Sequence, residues 1–169
     1  LASVKRALSE ALGGAKAAEL PLPGSDGDRL PPHGVYVRLD WWNAISSGGS
    51  YGHTCFVAAE LAKRSDGFAC LMANRFQLLD ELGIRQYRLE PPFEVWGESQ
   101  MAGATEASLH ALRAAFQLMR PGFVYERLVV GNFAAAKVCQ ELEIPYVVEY
   151  NGSESSMMRS FGGRAYRQE

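Results

Sequence analysis

The sequence carries almost no surplus of charge of either sign. Lys and Arg together number 17 and Asp and Glu number 19, so the formal net charge is -2 and the isoelectric point is about 6.0. A nucleic-acid-binding face needs a basic patch or stripe, and no run of Lys and Arg occurs here. We therefore expect no nucleic-acid partner.

Long apolar runs and cysteine pairs are also lacking. No apolar stretch approaches the length that crosses a bilayer, and no signal peptide opens the chain. The three cysteines, Cys55, Cys70 and Cys139, lie far apart and lack the spacing of metal ligands. An odd number of cysteines argues against a disulfide framework. These features predict a cytoplasmic protein in a reducing compartment, with no bound metal.

The 169 residues are enough for one domain with a real core. Residues 1–33 contain a helical stripe followed by a stretch rich in Pro and Gly, which we interpret as a leader helix and a linker. Residues 34–169 form the predicted domain. Because the chain opens on Leu1 and not on Met, we expect it to be a fragment of a longer protein.

Within that domain, apolar runs alternate with helical stripes. Strands are predicted near residues 35–39, 68–73, 124–126 and 146–149, with a further brief strand at 87–89. Between them, helices are predicted at 51–64, at 76–82 with Gly83 as its stop, from a cap at Thr105, and at 135–142. Strands that alternate with helices indicate a Rossmann-like, doubly wound parallel α/β sheet.

Polar side chains cluster where three of the predicted strands end. The clusters are residues 40–50, residues 126–127 with Asn132, and residues 149–154. Ligands of such sheets bind beyond the carboxyl ends of the strands, so these clusters form the predicted site. In the first cluster Gly48, Gly49 and Ser50 precede a helix, an arrangement that suits an anion such as a diphosphate but also suits a simple turn.

The glycine loop, Tyr125-Glu126-Arg127 and the run 145–151 occur in an order that resembles the N-terminal half of a family 4 glycosyltransferase of the GT-B type. The resemblance covers about residues 35–154. It implies that two Rossmann-like domains face a cleft, and that this domain receives the acceptor. It also implies transfer from a nucleotide-sugar to a sugar or lipid-linked acceptor, with retention and without a metal or other cofactor.

The resemblance also implies roles for individual residues. Asn151 and Glu126 are the candidate catalytic residues. Asn151 stands where many members carry a His, and because an amide does not titrate near neutral pH its role would be in binding. The candidate donor- and substrate-binding residues are Gly48, Gly49, Ser50, Arg127, Glu149, Ser153 and Glu154. The donor would be held by a missing C-terminal domain, so the fragment alone is expected to be inactive. A lipid-linked acceptor would imply peripheral association at the inner face of a membrane.

Two other interpretations remain open. One is a dinucleotide-binding oxidoreductase or epimerase, although residues 48–52 do not match the G-x-G-x-x-G pattern and the second strand ends without an acidic residue. The other is a non-catalytic Rossmann-like ligand-binding module. His53 is interpreted as a packing or capping residue, and Trp41 and Trp42 as core or domain contacts.

Overall fold

The structure, a computed structural model, describes residues 33–40, 45–89, 98–153, 156 and 159–160. The leader predicted over residues 1–33 therefore lies, except for its last residue, outside the described part. The same holds for Trp41, Trp42 and Glu154.

The described residues form a parallel sheet flanked by helices. In chain order its elements are β1 (Gly34–Arg38), α1 (Gly48–Lys63), β2 (Phe68–Met72), α2 (Gln77–Glu81), β3 (Arg85–Arg88), α3 (Glu98–Met119), β4 (Phe123–Arg127), α4 (Ala134–Glu141) and β5 (Tyr146–Glu149). Every pairing is parallel, and the strand order is β3-β2-β1-β4-β5. The predicted Rossmann-like α/β fold is confirmed.

Two apolar cores cover the two faces of the sheet. On one face, Val35, Val37 and Val124 pack with α3 and α4. On the other face, Tyr36 and Cys70 pack with α1 and α2. All five residues of β1 and all five of β2 are buried. This double burial explains why the central strands are almost continuously apolar in sequence.

The helix ends agree with the sequence in part. Gly83 has a φ of +71° just after α2, as expected of a helix stop. The prediction that Thr105 caps a helix is wrong, because α3 already begins at Glu98. Thr105 is buried inside α3, where its Oγ1 donates to the Gly131 carbonyl at 2.7 Å. The hydroxyl therefore joins α3 to the loop between β4 and α4.

The predicted glycine loop is also different from the observed structure. Helix α1 begins at Gly48, so Gly48, Gly49 and Ser50 form its first turn and the loop ends at Ser47. Glycine is a poor helix former, which is why the sequence pattern placed the helix start later. The anion site predicted for these residues would therefore be the N-terminus of a helix and not a separate glycine loop.

Candidate functional site at the carboxyl edge of the sheet

The direction of winding reverses between β1 and β4. From β1 the chain proceeds through α1 on one face to β2, and from β4 it proceeds through α4 on the opposite face to β5. The carboxyl ends of β1 and β4 are thus neighbours whose following helices lie on opposite faces. In open α/β sheets this arrangement leaves a crevice, and ligands bind there.

Glu149 is the centre of the polar cluster beside this crevice, which we call the Glu149 cluster. Its carboxylate accepts hydrogen bonds or ion-pair contacts from four side chains, namely Asn151 at 2.5 Å, His53 at 3.0 Å, Tyr125 at 3.1 Å and Arg127. The Glu149 side chain is only 12% exposed. Donors from α1, β4 and the end of β5 thus converge on one carboxylate.

Electrostatics keep that carboxylate ionised. Burial raises the pKa of Glu149, but the hydrogen bonds from Asn151 and His53 and the charge on Arg127 outweigh burial, so that the net pKa lies below its usual value. Burial and the neighbouring Glu149 charge raise the pKa of the Tyr125 phenol, which therefore stays protonated as a donor. Glu149 is consequently a fixed negative charge and not a proton donor.

His53 contributes an imidazole to the cluster. It lies in the second turn of α1, is exposed, and places Nε2 at 3.0 Å from Glu149 Oε1. Among the described residues, none bonds to its other ring nitrogen. A carboxylate that orients one nitrogen of an accessible imidazole is the arrangement of a general base. The sequence interpretation of His53 as a packing or capping residue missed this partner.

Arg127 and Glu126 are adjacent in β4 but face opposite sides of the sheet. Arg127 shares the α1 face with Glu149, and its side chain is 14% exposed. Glu126 is 1% exposed on the α4 face, where the Tyr146 hydroxyl donates to its Oε2. The structure therefore brings Arg127, Glu149 and Asn151 together and leaves Glu126 apart from them.

Burial controls the protonation of Glu126. It raises the pKa of this carboxyl to about 7, against the hydrogen bond from Tyr146, which lowers it. Oxygen Oε1 is buried without a hydrogen-bond partner among the described residues, and so is Nδ2 of Asn132. Asn132 Oδ1 accepts from the N–H of Ala134, the first residue of α4, at 3.1 Å.

The remaining predicted residues that the structure describes are not among the side chains that contact Glu149. Gly48 and Gly49 are exposed in the first turn of α1. Ser50 accepts bonds from Arg38 on both its carbonyl and its hydroxyl oxygen. Ser153 follows β5, and its Oγ accepts from the Ser156 N–H at 3.0 Å.

The described residues contain no group of three or more His, Cys, Asp or Glu side chains arranged to hold a metal ion. Among the same residues, no helix combines the length and the apolar character that crossing a membrane requires.

Comparison with known proteins shows the fold. No protein-family model matches the sequence, and no curated protein matches it significantly. The glycotransferase of kitacinnamycin aligns over 79% of this chain with a TM-score of 0.51 and 19% identity. The C-terminal domain of the PF1911 hydrogenase from Pyrococcus furiosus aligns over 81%, with a TM-score of 0.53 and 12% identity. MurG from Acinetobacter baumannii aligns more weakly, over 76% with a TM-score of 0.45 and 12% identity.

These neighbours differ in how much of each one the chain covers. The chain spans 34% of the glycotransferase and 100% of the hydrogenase domain. At such identities the likeness concerns the fold alone. The chain therefore has a Rossmann-like fold of a kind that a known glycosyltransferase also contains.

Proposed function

We propose that this chain is the acceptor-side half of a GT-B-type glycosyltransferase, which transfers a sugar from a nucleotide-sugar to an acceptor hydroxyl. The observation that carries the proposal is the contact between His53 and Glu149 at the carboxyl edge of the sheet. The resemblance to family 4 and the fold likeness to a glycotransferase support the same class.

In this proposal His53 is the general base. The acceptor O–H bond breaks, the proton passes to the ring nitrogen of His53 that faces away from Glu149, and the acceptor oxygen bonds to the anomeric carbon. The bond between that carbon and the nucleoside diphosphate breaks, and its electron pair leaves with the diphosphate. The ionised Glu149 stabilises the imidazolium that forms, because Asn151, His53 and Arg127 hold its charge in place.

The base bears on stereochemistry. The resemblance to family 4 implies retention of the anomeric configuration. A base on the acceptor hydroxyl favours direct attack from the face opposite the leaving group, which inverts the configuration. We propose inversion on this ground, and the anomeric configuration of the product decides between the two.

Other residues bind in this proposal. Arg127 and Asn151 hydrogen-bond acceptor hydroxyls, and Ser153, which follows β5, extends the acceptor site. Glu154 is proposed as a further binding residue from the sequence resemblance alone. Gly48, Gly49 and Ser50 present the N-terminus of α1 to the donor diphosphate, where unpaired N–H groups favour an anion. The donor itself is held by a second domain, and the proposal needs neither a metal nor a nucleic acid. An association with a membrane surface would serve a lipid-linked acceptor.

The test uses the 169-residue chain and NMR titration. Acceptor mimics, namely a panel of methyl glycosides and simple alcohols and phenols, are added to the protein labelled with 15N. We expect shifts in the signals of His53, Arg127 and Asn151, and their loss in a His53→Gln variant. A matched variant at the far end of α1, Glu60→Gln, should bind as the wild type does, because Glu60 forms an ion pair with Lys63 on the exposed surface of the helix. A panel that leaves all three signals unmoved would refute the acceptor role.

The same titration separates the dinucleotide-binding alternative. A dinucleotide site of the Rossmann type needs an acidic residue at the end of the second strand to hold the ribose. Here that position is occupied by Asn74, whose amide donates to the Asp40 carbonyl at 3.2 Å. We therefore expect NADH to leave the β1 and β2 strand-end signals unmoved, and a saturable shift there would favour the alternative.

A further inference from the structure

Arg38 ties the end of β1 to the first two turns of α1. Its side chain is 3% exposed. Nη1 donates to the Ser50 carbonyl at 2.9 Å and to Thr54 Oγ1 at 2.5 Å, while Nη2 donates to Ser50 Oγ at 2.8 Å. Nε donates to the Asp40 carboxylate, which balances the charge. The guanidinium also lies over the Phe76 ring, 5.5 Å from its centroid.

The start of α1 has little stabilisation of its own. Three glycines, Gly48, Gly49 and Gly52, occupy positions among its first five residues. Ser47 makes no capping hydrogen bond through its side chain, and the first turn holds no acidic residue. Glycine is the poorest helix former after proline, and a missing cap leaves N–H groups unpaired. The local sequence alone would let the first turns of α1 fray. The hydrogen bonds from Arg38 therefore stabilise them.

His53 lies on the turn that Arg38 holds. It follows Ser50 by three positions and directly precedes Thr54, so both residues bonded to Arg38 belong to the same stretch of helix. Fixing these two residues fixes the direction in which the His53 side chain leaves α1. That direction brings Nε2 to 3.0 Å from Glu149 in β5, across the crevice.

We propose that Arg38 is a positioning residue for the His53–Glu149 pair. It fixes the position and rotation of α1 relative to the sheet, so that the His53 imidazole contacts the Glu149 carboxylate. It contacts neither the acceptor nor the donor. The catalytic meaning of this role rests on the proposed function, in which His53 is the base. The geometric role stands by itself and can be measured without any substrate.

The measurement is the tautomer of His53 in the 169-residue chain, read from the ring 15N signals at about pH 9, where an imidazole is neutral. In the wild type we expect the tautomer with hydrogen on Nε2, because that nitrogen faces Glu149. Arg38→Lys keeps the charge but has a single nitrogen in place of the three that bond Asp40, Ser50 and Thr54. Thr54→Val keeps the volume and removes one acceptor. We expect both variants to shift the signals toward a mixture of tautomers, Arg38→Lys the further.

The control is Leu112→Ala, which creates a cavity at a fully buried position in the core on the opposite face of the sheet. It lowers the melting temperature and should leave the His53 signals as in the wild type. If Arg38→Lys does not fold, Thr54→Val decides alone. Folded variants with the wild-type tautomer would overturn the proposal, and so would an equal shift in Leu112→Ala. The two experiments can disagree. If the chain binds no acceptor mimic but the variants still shift the His53 ring signals, the positioning role of Arg38 is supported and only the glycosyltransferase role is refuted.

Discussion

Replacing Glu126 by Gln should change how the stability of the domain depends on pH. Burial raises the pKa of Glu126 from 4.5 to about 7, so the folded state favours the protonated form. The stabilisation is full below the unfolded pKa and is lost as pH rises through the folded value. A shift of this size corresponds to about 3 kcal/mol of unfolding free energy, lost between about pH 4.5 and pH 7. Gln cannot ionise, so the variant lacks this loss.

The assay is urea unfolding of both proteins at four pH values from about 4.5 to about 7.5, with the free energy extrapolated to water. The wild type should lose about 3 kcal/mol relative to Glu126→Gln across this range. The absolute offset between the two proteins does not matter, because only its change with pH reports the titration. Glu106→Gln, at an exposed position of α3, is the control and should run parallel to the wild type. Parallel curves for Glu126→Gln would refute the reasoning.

Four further predictions concern the edge of the sheet and the donor site. Gly48 has a φ of +85°, so Gly48→Ala should lower the unfolding free energy by about 1 kcal/mol or more in thermal melts. At Gly49 an added Cβ meets nothing within 4 Å and φ is ordinary, so Gly49→Ala should not destabilise the fold, yet in the complete transferase it should cut turnover if the donor lies against this backbone. The pKa of Glu149 is lowered, so its stabilisation is present above the unfolded value and is lost as pH falls; Glu149→Gln should therefore flatten the acid side of a plot of melting temperature against pH. Calorimetry of residues 1–169 with a nucleotide-sugar should detect weak binding or none, and micromolar affinity would contradict a donor site on a second domain.

The strands were predictable from local apolar runs, and their parallel pairing from the alternation of strands with helices along the chain. The order of the strands in the sheet was not predicted. Residues 68–72 form a continuous apolar run, which only a strand covered on both faces explains well. Gly83 marks the end of α2 through a backbone conformation that favours glycine. The opposite orientations of Glu126 and Arg127 also follow from the period of two in a strand, and the sequence grouping of these two residues overlooked it.

The features that escaped prediction depend on contacts between distant segments. Helix α1 begins at Gly48 although glycine has a low helix propensity. The start of the helix is stabilised by Arg38, at the end of β1, which bonds to Ser50 and Thr54. Thr105 is a residue type that often caps helices, but it lies inside α3 and its hydroxyl donates to the Gly131 carbonyl in the loop between β4 and α4. The proposed proton-transfer role of His53 depends on its contact with Glu149, which is distant along the chain but lies 3.0 Å away in the fold.

The two glutamates at the ends of β4 and β5 have opposite environments, and the contrast assigns their chemistry. Glu126 has one donor and an unpartnered buried oxygen, so burial dominates and its pKa rises to about 7. Glu149 has four donors, two of them cationic groups when His53 is protonated, so its pKa falls despite burial. Where the environment separates the pKa values of two carboxyls in this way, the one that stays ionised is suited to stabilise a neighbouring cation. In the proposed function that cation is the imidazolium that forms when His53 accepts the acceptor proton. Glu126, buried on the other face and out of contact with the Glu149 cluster, is suited to a structural role under α4.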